Sequence, residues 1–151
     1  MPGTWKFVHL LFTFTFVAAL LSAHWNVLAA RRTDDWRRRA ALLEANLRVT
    51  RTFGLVSLVL LGAFGNLVAV AVGHSMASDV WLRWANAMWV VTLALGLLFD
   101  LPATARLAMV ARAGSEGGPT AEFAAAVDRW RLTNALLLLS FAGFLSLMVF
   151  R

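Results

Sequence analysis

Phe53-Gly-Leu-Val-Ser-Leu-Val-Leu-Leu-Gly-Ala-Phe-Gly-Asn-Leu-Val-Ala-Val-Ala-Val-Gly73 decides the fold, because it carries no charged side chain over the length of a bilayer crossing. About 20 residues of α-helix, rising ~1.5 Å each, cross a hydrocarbon layer of ~30 Å. That layer holds no water for backbone N–H and C=O groups, so such a run must close its hydrogen bonds within itself as a helix. A barrel strand would need only about 10 residues and a polar alternation that this run lacks.

Working outward, three more stretches of the same kind follow: Phe7–Ala29, Trp81–Leu101 and Leu132–Phe150. The expected fold class is all-α: a polytopic membrane protein with four transmembrane helices in an antiparallel bundle, forming one domain over 1–151. Hydrophobic residues at 60% and a mean hydropathy of +0.71 are too apolar for a soluble domain. Four spans consume most of the length, so a soluble catalytic domain has no room. No cleavage pattern follows the first span, which is expected to stay in place. Without cysteine, disulfide, thiolate and iron–sulfur chemistry are excluded.

The net charge of +6 would suit nucleic acid, but its placement argues against that partner. Arg31, Arg32, Arg37, Arg38, Arg39, Arg48 and Arg51 lie in the loop 30–52, and Arg106, Arg112, Arg129 and Arg131 in the loop 102–131. Lys6, Arg83 and Arg151 fall at the opposite face. The positive-inside rule then makes both basic loops cytoplasmic and both termini external, in a bacterial inner membrane. Trp5, Trp81 and Trp84 mark the outer interface, and Trp25, Trp36 and Trp130 the inner one. Trp89 sits deeper and is expected to pack within the bundle.

In the first inner loop Trp36, Ala40, Leu43 and Leu47 recur at helical spacing, with arginines on the other faces. They predict an amphipathic helix capped by Thr33 or Asp34, which either lies on the inner leaflet or runs on into the second span. In the second inner loop, Gly114–Pro119 is a break, after which Thr120 caps a helix bearing Phe123, Val127 and Trp130. Gly65, Ala69 and Gly73 recur every four residues and predict close helix packing, with Asn66 able to bond across helices.

Chemistry-capable side chains form two groups. At the outer end, His9 and His74 are candidate haem or metal ligands, with Asp79, Arg83 and Asn86 nearby. The plainer reading leaves His74 solvated in the turn and His9 in polar contact with Thr13. At the inner end, His24, Arg51, Asp100, Arg131 and Asn134 form a polar cluster in which Asp100 is expected to pair with Arg51 or Arg131. His9 and His24 lie about 22 Å apart along one helix and cannot share a metal. Phenylalanines and leucines between them make a poor proton path, which argues against a channel or pump. No phosphate-binding loop, nucleophile elbow or zinc-protease helix is present.

Lys6-Phe-Val-His9-Leu-Leu, Leu101-Pro102-Ala-Thr-Ala-Arg106-Leu and Arg129-Trp-Arg131-Leu-Thr-Asn134-Ala-Leu-Leu-Leu-Leu, with the arginine-rich loop between the first two spans, resemble a bacterial family of small four-helix membrane proteins. That family is similar in layout to the HemJ-type protoporphyrinogen oxidases and to the membrane part of CopD-type copper-resistance proteins. The likeness to the HemJ type implies a b-type haem or porphyrin served by His9. The lysine of that type in the third span is replaced here by Ala85. Three readings follow: a binding or accessory subunit contacting lipid, other membrane subunits or its own copies; a haem or porphyrin redox protein using His9 and His74; and transport of copper or another small solute. Met76, Met88, Met109 and Met148 are scattered in depth and form no copper relay.

Overall fold

The computed structural model describes residues 2–118 and 121–149, and among these every regular element is helical. Helix α1 covers Pro2–Arg32 and α2 Trp36–Val49, and a π-helical turn at Thr50–Gly54 joins α2 to α3, Leu55–Ala71. Helix α4, Val80–Leu95, passes through a second π-helical turn at Gly96–Asp100 into α5, Leu101–Ser115, and α6 is Phe123–Val149. Four continuous rods result: Gly3–Arg32, Trp36–Ala71, Val80–Ser115 and Phe123–Val149, each long and apolar enough to cross a membrane.

Two rods outrun the expected spans. The amphipathic stretch 36–49 runs on into the second span, and 102–115, expected as loop, is helix. Pro102 does not end the rod. A proline in an α-helix lacks its N–H and meets the carbonyl four residues back. Here it falls at the first turn of α5, straight after the π-helical turn, where the Leu101 N–H bonds to the Gly96 carbonyl five residues back. Such a turn inserts one residue, and the helix continues.

The link between α1 and α2 is three residues long. Asp35, rather than Thr33 or Asp34, is the cap, its Oδ1 accepting the Arg37 and Arg38 amides at 2.9 and 3.4 Å. Arg39, buried unlike the arginines around it, turns back to the end of α1, where Nε donates to the Ala30 carbonyl at 2.9 Å and Nη2 to that of Thr33. Its guanidinium lies 4.1 Å from the Trp36 ring centre and 4.7 Å from that of Phe123. It thus supplies donors to carbonyls that the helix end leaves open and stacks on aromatic faces.

The interior has two apolar clusters. One gathers Phe16, Leu20, Leu58, Leu61, Leu137, Phe141 and Phe144. The other is built on alanine, with Ala23, Ala30, Ala40, Ala103, Ala108 and Ala111 around Leu43, Leu107 and Trp130. Small side chains let helix backbones approach closely where packing must replace the hydrophobic drive. The deepest approach uses Gly62: a Cβ there would fall 2.1 Å from the Trp89 ring, whose Nε1 donates to the Leu58 carbonyl at 2.8 Å. Trp89 therefore packs within the bundle.

The expected packing stripe divides. Gly65 receives the His9 ring, with 3.1 Å between a Cβ there and Cε1, and Ala69 is buried. Gly73 is corrected: it has open space around it and φ of +87°, so its glycine serves a left-handed turn conformation and no helix contact. Asn66 and Asn86 exchange reciprocal amide bonds of 2.7 and 3.0 Å between α3 and α4. The expected cap Thr120 lies outside the described residues.

Candidate functional site

Each outer histidine has a partner of its own. His9 Nδ1 is 2.7 Å from the Leu61 carbonyl, and Thr13 bonds the His9 carbonyl rather than the ring. A carbonyl only accepts, so Nδ1 carries the hydrogen and Nε2 is left bare. His74 Nδ1 lies 3.1 Å from Asp79 Oδ2, with its ring edge-on to Trp81. Asp79 also accepts the Ser75 amide at 2.9 Å. That bond, helped by His74 and Arg83, holds its carboxyl below the usual value against a smaller opposing desolvation. Among the described residues no three His, Asp or Glu side chains are grouped to hold a metal.

His9 fixed by a carbonyl has the tautomer that an axial haem ligand requires. Its surroundings do not fit the macrocycle. The ring is laid against Gly65, and the cavity bordering that glycine measures about 10 Å³. A ligand pocket for an organic cofactor runs to about 300 Å³ or more.

The inner cluster comes apart into two places. Asp100 and Asn134 are buried together, the amide Nδ2 donating to Asp100 Oδ1 at 3.2 Å. Arg131 instead reaches Asp128 at 3.5 Å, and Arg51 is exposed without an ion pair to any described residue. The expected pairing of Asp100 with either arginine is thus replaced by an amide contact. Long guanidinium side chains near helix ends gain more from reaching water than from entering the core.

His24, Arg31 and Arg131 meet at a groove of about 790 Å³ between α1 and α6. The pairs Phe16 with Phe141 and His24 with Trp130 fix the register of these helices. Leu21 and Leu138 therefore lie at the deep end of the groove, Trp25 and Arg131 midway, and Arg31 at the far end. His24 Nδ1 donates to the Leu20 carbonyl at 3.1 Å. A second hollow of about 270 Å³ shares Trp25 and Leu28 and adds Arg32 and Arg38. No carboxylate lines either hollow.

Sequence reasoning missed two buried polar residues, Asn46 and Thr104. Asn46 and Thr104 are fully buried, yet neither the amide of one nor the hydroxyl of the other finds a hydrogen bond. Asn134 Oδ1 and Trp130 Nε1 are equally bare. Their signal was a polar residue inside an apolar helical face, muted by arginines nearby. No known protein family, curated protein or solved structure matches the chain.

Proposed function

We propose that this chain is a four-span protein of the bacterial inner membrane, its helices antiparallel and its termini outside, that serves as a binding or accessory subunit and holds an acidic phospholipid. The observation that carries this reading is the α1/α6 groove, apolar at one end and lined by arginine without carboxylate at the other. An acyl chain fits along Leu21 and Leu138, while a phosphate meets Arg31 and Arg131 in the planar, forked geometry that guanidinium offers. Arg32 and Arg38 add positive field around Trp25, a residue type that favours headgroup depth.

Native mass spectrometry of the detergent-released protein tests the reading. Acidic phospholipid should remain bound at collision energies that strip phosphatidylcholine, and Arg31→Gln with Arg131→Gln should abolish that difference. Equal retention of the two headgroups by the unaltered protein would refute it.

A second reading, porphyrin or haem binding at His9, is favoured only by the tautomer that Leu61 imposes. A Soret band in the purified protein that disappears in His9→Ala would move the conclusion to it. Copper transport has no comparable support.

A further inference from the structure

Between the two apolar clusters lies a small space of about 20 Å³, separate from the lipid groove. Both π-helical turns border it, through Thr50 and Gly54 on one side and Gly96 and Asp100 on the other, and Asn134 completes the polar lining. Asp100 is 3% exposed and Asn134 1%. A carboxylate so buried is costly unless a positive charge meets it, yet no arginine or lysine pairs with it among the described residues. Asn134 donates its amide nitrogen to Asp100, which leaves its own oxygen without a donor.

Thr50, half-buried, also lines the space. Thr13, Thr15, Thr52, Thr92 and Thr133 each donate the hydroxyl to a carbonyl of the preceding turn. Thr50, facing the cavity, makes no side-chain hydrogen bond to any described residue. A buried carboxyl group, an unused amide oxygen and a threonine thus line a space the size of one ion or one water.

We propose that this cavity is a binding site for a single sodium ion, ligated by the Asp100 carboxylate, Asn134 Oδ1 and the Thr50 hydroxyl. The single carboxylate balances one positive charge, whereas calcium carries two and takes about 6–8 oxygens. A hard monovalent ion satisfies the three oxygens and neutralises the carboxylate in one step. The orphan side chains extend the site toward the arginine-bearing ends: Asn46 stands one turn before Thr50, and Thr104 one turn after Asp100. His24 is the nearest other titratable group, within electrostatic reach of Asp100.

The test uses the full-length protein in detergent micelles at pH 8, titrated with sodium chloride against choline chloride at constant ionic strength. The thermal midpoint should rise saturably with sodium alone, and radioactive sodium should bind at one site per chain in a scintillation proximity assay. Asp100→Asn should lose both signals. Thr50→Val keeps the carboxylate, so it should still fold and need about tenfold more sodium. Identical midpoints in the two salts would overturn the proposal, as would a midpoint that follows pH but not sodium and so assigns the neutralising charge to a proton. Sodium binding that survives in Asp100→Asn would overturn it too.

Discussion

Adding one methyl group at Gly62 should change sign in its effect on stability according to what stands at position 89. An alanine Cβ at position 62 would lie 2.1 Å from Trp89 Cε2 and 2.3 Å from Nε1. The indole cannot retreat without giving up its 2.8 Å bond to the Leu58 carbonyl. Overpacking of this kind costs about 1–3 kcal/mol, and loss of the hydrogen bond adds about 0.5–1.5 kcal/mol. Against this, alanine gains about 1 kcal/mol over glycine within a helix. Gly62→Ala should therefore destabilise by about 0.5–3.5 kcal/mol net, with the helix gain offsetting part of the clash. With Trp89→Ala already present the clash is gone, and Gly62→Ala should stabilise by up to about 1 kcal/mol. Reversible unfolding in mixed detergent and dodecyl sulfate micelles, run as a double-mutant cycle, measures both numbers. The same loss in both backgrounds would refute the packing of Trp89 on Gly62.

The reciprocal amides of Asn66 and Asn86 make a second cycle: either single change to Leu strands one amide and should cost about 1–3 kcal/mol, whereas the double change should be close to neutral. In the outer turn, Asp79 has a carboxyl depressed below its ordinary value of 3.8, so its contribution is complete above that pH and is lost as pH falls through the lowered value. Amide exchange at Ser75 should accelerate on acidification below that point, and Asp79→Asn should remove the pH dependence. For the lipid groove, each arginine near a charged surface is worth about 1 kcal/mol. Replacing both Arg31 and Arg131 by Gln should therefore weaken acidic-lipid binding about thirtyfold, read by lipid titration in native mass spectrometry.

The stretch 53–73 announces its helix because backbone hydrogen bonding in an apolar run is a local demand, met within the segment itself. The break expected at Gly114–Pro119 came out only in part: α5 runs through Gly114 to Ser115, and Pro119 lies outside the described residues. The helix beyond Leu101 was not legible, because it depends on the π-helical turn that carries the rod into Pro102, and Arg39 looked like one more loop arginine until its partners on α1 were in place. The inner site was half visible. Asp100 and Asn134 stood out as polar residues at span ends, but their pairing, and the orphaned Asn46 and Thr104, depend on how α2, α5 and α6 meet.

Segment apolarity, set by the sequence alone, determined that there are four long helices and roughly where they turn. Which faces touch was left to the tertiary structure. Phe14, Leu21 and Leu139 are exposed and Phe16, Leu58 and Phe141 are buried, yet the two sets are equally apolar. Helices this apolar all round have no polar face to tell inside from outside. Only the interlocking of particular shapes, such as Trp89 on Gly62 and His9 on Gly65, decides the arrangement.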